Sequence, residues 1–370
     1  MKMIGLILDE TKVERLDGLS KDRAVSSMPI AGCYRAIDFA ISNMANAGVK
    51  TVGVISQYSS TSLVSHLTTE KIWNFGTKTG GIFVFTPAMK NGNMMWQRGT
   101  ADAMYQNIEF LKRSQEPYVI IAAGSGIMKI DYKKMLKYHE DKKADITILA
   151  KHIPDEAQCS LLGNMELDEN DRVVEFEEKP LEPKTDIASL GVYIINRPLL
   201  ISLLEEVIKD GRYDFVSDVI ARYRKRLNIY AYFHEGYWSN IGGIKKYFDT
   251  NMDFLKRSVR EELIISEPYI STKIKDDAPT KLNKDAKVSN SILGGGNIIN
   301  GEVSNSVLFN KAYVGDDTKV DHTIIMNDTF IGNYCEIEYA IIDKNVVISD
   351  GKKVIGTPEN IKIIHKGEKI

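Results

Sequence analysis

Residues 325–337 read IMNDTFIGNYCEI. Ile325, Ile331 and Ile337 stand six apart, with small and turn-forming residues between them. The same interval separates Val314 from Val320, and Ile292 from Ile298. A six-residue period of this kind is the pattern of a parallel β-helix, in which each flat face contributes one inward aliphatic per turn. An ordinary antiparallel β domain would alternate with period two instead. The phase slips between runs, so the pattern rests on all of them together, from about Val288 over roughly 70 residues. The spacing predicts that each of these aliphatics, Ile292 and Ile298 included, points inward.

Many hexapeptide β-helices are acyltransferases with a catalytic histidine between the helices of a trimer. This segment is short and has His322 and, in the tail, His365. A structural and assembly role is the expectation. Upstream, residues 256–285 carry mixed charge, prolines and no clean period, and read as a linker. The first 255 residues alternate strand-like and helix-like segments, as a parallel α/β sheet requires. Met3–Leu8, Thr51–Ser56, Tyr118–Ala123, Ile146–Ala150, Val173–Phe176 and Gly191–Ile195 read as strands. Arg35–Ala47, with Ile37, Ala40, Ile41 and Met44 at helical spacing and Gly48 behind it as a C-cap, reads as a helix, as does Ala101–Leu111. The domains expected are therefore an α/β domain over 1–255, a linker over 256–285 and a β-helix over 286–370. Sheets of this kind bind ligands outside the carboxyl ends of their strands. The loops after Leu8 and after Ala123 are the places to look for chemistry.

Composition sets bounds. The chain has 370 residues, 43% hydrophobic and 26% charged, as expected of a soluble globular protein of two domains. A formal net charge of −2 gives no drive toward nucleic acid or anionic membrane. No apolar run is long enough to span a bilayer, and MKMIGLILDE turns acidic too early for a signal peptide, so a cytoplasmic location is expected. Cys33, Cys159 and Cys335 fit no zinc spacing and no disulfide framework.

Residues 6–43, LILDETKVERLDGLSKDRAVSSMPIAGCYRAIDFAISN, align without a gap with the opening of bacterial ADP-glucose pyrophosphorylases (glucose-1-phosphate adenylyltransferases). That family opens with L-A-G-G-x-G-[ST]-R-L, then R-A-K-P-A-V-P and Y-R-x-I-D-F. Here the loop glycines are Glu10, Thr11 and Val13, and the motif lysine is Val25. The family's A-G-D-H-I-Y-K-x-D-Y is matched by residues 123–132, with Ser125 at the magnesium aspartate. Its G-Y-W-x-D-[VI]-G-T is matched by residues 236–243, with Asn240 at the second metal aspartate. The chain resembles the non-catalytic, regulatory subunit of that enzyme, the GlgD type that accompanies a catalytic subunit in Gram-positive bacteria.

The resemblance implies a Rossmann-like nucleotidyltransferase domain followed by a left-handed parallel β-helix. Adenylyl transfer needs close backbone approach to a triphosphate, basic neutralisation and carboxylates for magnesium. Side chains at Glu10, Thr11 and Val13 would block that approach, Asp9, Glu10 and Glu14 add charge of the wrong sign, and Ser125 and Asn240 are poor ligands for a hard cation. Lys12 and Arg15 remain as residual basic residues of the loop. Asp131 is expected to cap the following helix rather than bind metal. Gly99–Ala103 matches the family's G-T-A-D-A, and Glu175–Pro180 its E-F-x-E-K-P. Glu178, Lys179, Ser189 and Asp214 fall at sugar-phosphate positions, which either still form a pocket or now hold the fold. Arg23 and Arg35 match basic effector positions, while Asp22 and Pro29 alter others. Gln57, with Tyr58, and Trp96 match the loops that couple effector to active site. The resemblance thus implies a regulatory subunit without cofactor of its own, partnered in a heterotetramer by a catalytic subunit that would hold the magnesium. A sugar phosphate or phosphorylated effector is the expected ligand. A weakly active adenylyltransferase and a stand-alone sugar-phosphate sensor stay open beside it.

Overall fold

The computed structural model describes residues 2–9, 16–57, 60–68, 70–75, 80–87, 89–90, 93–94 and 96–370. The chain divides into two compact units, each discontinuous in sequence. The first comprises Met1–Thr11 and Phe39–Gly236, the second Lys12–Asp38 and Tyr237–Ile370. A boundary at residue 255 thus falls inside the second unit.

The first unit is built on a nine-stranded sheet. Its strands are β1 (Met3–Leu8), β2 (Thr51–Ile55), β3 (Gly81–Phe85), β4 (Tyr118–Ala123), β5 (Ile146–His152), β6 (Gly163–Leu167), β7 (Val173–Glu178), β8 (Ile187–Asn196) and β9 (Ile229–Phe233). The order is β7-β6-β8-β4-β1-β2-β3, with β5 pairing β8 and β9. β1 lies parallel to β2 on one side and to β4 on the other. Its run MIGLIL is buried at Met3, Ile4, Leu6 and Ile7 because a central parallel strand has both faces covered. From β1 the chain passes to β2 and β3 on one side and then crosses to β4 on the other, so the carboxyl ends of β1 and β4 form a topological switch point. The two loops that the sequence marks for chemistry leave from there, and Gly124 N donates to Leu8 O at 2.9 Å.

α1 (Ala36–Asn46) buries Ile37, Ala40, Ile41 and Met44, and Gly48 follows it at φ +80°. The helix expected over Ala101–Leu111 is two: α2 (Thr100–Gln106) and α3 (Ile108–Arg113). The break is at Asn107, whose side-chain amide donates to Ala103 O at 2.9 Å and so competes with the helical ladder. α4 (Tyr132–Asp141) is capped by Asp131, which accepts from Lys133 N at 2.9 Å. α5 (Arg197–Lys209) buries Leu200, Leu203, Leu204 and Val207 in the core. No helix among the described residues is long and apolar enough to cross a membrane.

The second unit contains a parallel β-helix. Its coils stack in register, so that residues at equivalent positions form columns. Val314, Val320, Ile325, Ile331 and Ile337 point inward as the period predicts, each at most 1% exposed. Ile292 and Ile298 do not. Ile298 is 40% exposed while its neighbour Ile299 is fully buried, and the inward residue beside Ile292 is Leu293. The aliphatics come as doublets, one facing in and one out, and a period of six cannot say which. The corners explain the turn formers between them. Asn290, Asn305, His322 and Tyr339 share one corner and Lys311, Asp328 and Asn345 another, all at positive φ, where Asn, Asp and Gly are cheapest. His322 is therefore a corner residue, its ring stacked on Tyr339 at 4.8 Å and its Nδ1 2.6 Å from Asp321 Oδ2.

Two outward columns are explained within the unit. Lys287, Glu302, Lys319, Glu336 and Lys353 alternate in sign up one face, so in-register stacking never sets like charges side by side. On another face the outward residues are Ile292, Val307, Ile324 and Ile341, and they are covered. Val307, Ile324 and Ile341 are fully buried, α6 (Ile244–Asp253) packs on the strand Lys319–Ile325, and Gly32 lies against Ile292. The stretch 256–285 holds a short helix, Arg257–Arg260, and a helical turn, Glu261–Ile265, before the first coil.

Candidate functional site

Glu10, Thr11, Lys12, Val13, Glu14 and Arg15 lie outside the described residues. The loop begins at Asp9, which is 8% exposed and accepts from Ser56 Oγ at 2.8 Å. Ser125, at the β4 end of the switch point, is 3% exposed. In the second unit Asn240 ends the strand Trp238–Asn240. A side-chain carbon at Gly242 would come within 3.3 Å of Asn240 Oδ1, which keeps the turn after it tight. A hydroxyl and an amide carry no charge to set against a divalent cation. Among the described residues, no group of three or more His, Cys, Asp or Glu could hold a metal ion.

The sugar-side residues of the first unit do come together. Their centre is Tyr193, which the sequence marks only as a strand residue. Ser189 Oγ lies 3.2 Å from the Tyr193 hydroxyl. Burial pushes the Tyr193 phenol well up; the Ser189 hydrogen bond opposes this, and the nearby Glu178 and Asp214 carboxylates add to it. Lys179 Nζ pairs with Glu178 Oε1 at 3.0 Å. Lys179 itself turns the chain at φ +50°.

Asp214 is held by the G-T-A-D-A segment. Thr100 Oγ1 donates to Asp214 Oδ2 at 3.1 Å and accepts from Phe215 N at 2.8 Å. Ala101 N and Asp102 N both donate to Tyr213 O, at 2.8 and 3.1 Å. A Cβ at Gly99 would sit 2.4 Å from Tyr213 O, so this close approach requires glycine. Arg98 grips Asp102 through Nη2 at 3.0 Å and Nε at 3.2 Å, and its guanidinium lies 3.7 Å over the Tyr213 ring. Nearby, Trp96 is 51% exposed and its carbonyl accepts from Gln106 Nε2 at 3.4 Å. Gln57 is half-buried after β2, and Tyr58 lies outside the described residues.

Of the positions matched to effector binding, Asp22, Arg23, Pro29 and Arg35 fall in the second unit, while Gln57 and Trp96 fall in the first. Val25, at the motif lysine, is 3% exposed in a turn of 3-10 helix. Arg23 is 4% exposed, its guanidinium paired with Asp343 and donating to Met326 Sδ at 3.0 Å. Asp343 Oδ1 also accepts from Lys344 N at 2.7 Å. Asp22 pairs with Lys366 at 2.9 Å. Pro29 O accepts from the Tyr247 hydroxyl at 2.8 Å, and Pro29 pairs with Arg35 across a two-residue ladder. An open cavity of about 430 Å³ is lined by Lys21, Arg23, Asp343, His365 and Lys366 among others.

Beside it, cations gather. Burial pulls the Lys344 ammonium down to about 8, and Arg23 and Arg35 push the same way; Asp343 opposes them and Lys275 adds to them. Lys275 is lowered by burial, against Asp277 and with Arg35. Burial also lowers Arg35, with Asp38 opposing and Arg23 adding. Arg23, Arg35, Lys275 and Lys344 thus share one neighbourhood, with the Asp38, Asp277, Asp328 and Asp343 carboxylates acting on it. Lys275 and Lys344 were missed from sequence: one sits in an irregular stretch, the other at a β-helix corner, and nothing in their spacing points to Arg23.

Comparison with known proteins bears on what these sites are. A family profile described as nucleotidyl transferase matches residues 4–257, and one described as GlmU-like, C-terminal hexapeptide matches residues 274–361. The glucose-1-phosphate adenylyltransferase of Clostridium novyi (strain NT) is 35% identical over 86% of this chain and 84% of its own length. That of Clostridium perfringens (strain 13 / Type A) is 38% identical over 85% and 80%. That of Bacillus subtilis (strain 168) is 35% identical over 86% and 84%.

Proposed function

Because this chain belongs to the glucose-1-phosphate adenylyltransferase family, we propose that it is a regulatory subunit of that enzyme in bacterial glycogen synthesis, without catalysis of its own. The observation that carries the proposal is the donor set. Transfer of an adenylyl group to glucose 1-phosphate concentrates charge on phosphoryl oxygens, and a hard cation held by carboxylates is what neutralises it. Ser125 and Asn240 cannot supply that. The polar frame around Tyr193, with Glu178, Lys179, Ser189 and Asp214, supports the reading that a sugar phosphate would be held without any reaction. In the second unit, Arg23, Arg35, Lys275 and Lys344 are suited to a phosphorylated effector, whose charge would relieve the crowding of cations. The subunit would act by tuning a catalytic partner in a heterotetramer.

Pyrophosphate release from ATP and glucose 1-phosphate, measured on this chain, on its catalytic partner and on an equimolar mixture, tests this. No turnover alone and a raised rate or altered effector response in the mixture is the expected result. Sustained release by the chain alone would establish the weakly active enzyme instead. A mixture indistinguishable from the partner alone would leave the stand-alone sensor.

A further inference from the structure

The third outward column of the β-helix is neither charged like the first nor covered like the second. It reads Lys281, Ile298, Tyr313, Phe330, Val347 and Lys369, in register from coil to coil. Ile298 is 40% and Phe330 44% exposed. The Tyr313 and Phe330 rings stack at 4.7 Å with an interplanar angle of 4°, and Asn300 Nδ2 fixes the Tyr313 hydroxyl at 2.9 Å. The centre is therefore a rigid, flat, apolar strip. With rungs about 4.8 Å apart it runs roughly 24 Å between its terminal lysines. Elsewhere on this β-helix, an outward aliphatic column is buried beneath α6 and the segment around Gly32. An uncovered apolar column marks a surface awaiting a partner.

Charge says what kind of partner. A second copy can pack this face on its own face about a two-fold axis in two ways. With the axis along the column, Lys281 meets Lys281 and Lys369 meets Lys369. With the axis across it, Lys281 meets Lys369. Both set like charges against each other at the ends of a drying interface, which disfavours that pairing. We propose that this face docks a non-identical chain whose facing surface is apolar at its centre and carries carboxylates at both ends. On the regulatory-subunit reading, on which this rests, that chain is the catalytic adenylyltransferase subunit.

The test is the affinity of the full-length chain for that subunit from the same cell, measured by sedimentation and native mass spectrometry. The variants are Ile298→Glu with Phe330→Glu, and Lys281→Glu with Lys369→Glu. All four side chains point outward, so melting temperatures should match the parent chain; if the first pair melts early, Ile298→Thr with Phe330→Thr replaces it. The expected result is at least tenfold weaker assembly for either pair. Parent-like assembly by both pairs would overturn this face and leave the subunit reading intact. A parent chain that dimerises with itself, and loses the dimer in Ile298→Glu with Phe330→Glu, would overturn the choice of a non-identical partner. No assembly of the parent chain with the catalytic subunit would overturn both readings.

Discussion

The polar group around Tyr193 and the cluster around Lys344 differ in how their polar atoms are satisfied. In the first, every feature has an answer nearby: Thr100 for Asp214, Lys179 for Glu178, Ser189 for Tyr193. In the second, cations are packed near one another until burial and mutual repulsion lower a lysine to about 8. A self-satisfied network stabilises whether or not a ligand comes. A crowd of like charges is held in place by the rest of the fold and gains when an anion arrives.

The contrast can be broken most sharply at the buried ion pair of Arg23 with Asp343. Arg23→Ala would leave Asp343 buried without its guanidinium partner, with the Lys344 N–H still donating to it, and should cost about 3–5 kcal/mol in urea unfolding. A loss below about 1 kcal/mol would rank the pair with ordinary surface salt bridges. Next is the anion itself. If the cluster takes a phosphorylated ligand, inorganic phosphate at a hundredfold its Kd should stabilise the protein by about 2.7 kcal/mol, seen as a rise in Tm. No rise, with a parent-like response in Lys344→Met, would remove the cluster as an anion site.

On the other side of the comparison, Asp214→Ala removes the acceptor for Thr100 Oγ1 and Ser217 N and should cost about 1–3 kcal/mol. Phosphate should not rescue it. Lys344→Met replaces a strained cation with an apolar side chain of similar length, and should raise stability at pH 7 by ~1 kcal/mol. The sign with pH comes from the lowered ammonium. Between about 8 and the ordinary 10.5 the unfolded chain holds the Lys344 proton and the folded chain does not. Stability should therefore climb as pH rises through that window, and the climb should shrink in Lys344→Met. The smallest effect belongs to the charged β-helix face. Lys353→Ala removes an exposed 2.5 Å pair with Glu336 and should leave the urea-unfolding midpoint unchanged within error.

Much of the fold was legible in the sequence because it depends on local pattern. The apolar run of β1, the spacing of α1 and Gly48 behind it, and the Asp131 cap are properties of a few adjacent residues. Ser125 and Asn240 were legible as substitutions because the frame around them is kept. What failed locally was the helix break at Asn107, where a polar side chain turns on its own backbone. Beyond that, the grouping of Arg23 with Lys344, and of Tyr193 with Ser189 and Asp214, joins residues far apart in the chain, and no short-range pattern encodes it.

By itself the sequence determined that an α/β sheet precedes a β-helix of six-residue period, and that two carboxylates are missing where the resemblance places magnesium; the parallel sheet expected from the alternation is in fact mixed, with β8 antiparallel to β4, β5 and β6. Only the tertiary structure decided which member of each aliphatic doublet faces the core. At Ile298-Ile299 both residues are equally apolar, so hydrophobic burial is indifferent between them. The register of the stacked coils breaks the tie, burying Ile299 and turning Ile298 outward beside Tyr313 and Phe330.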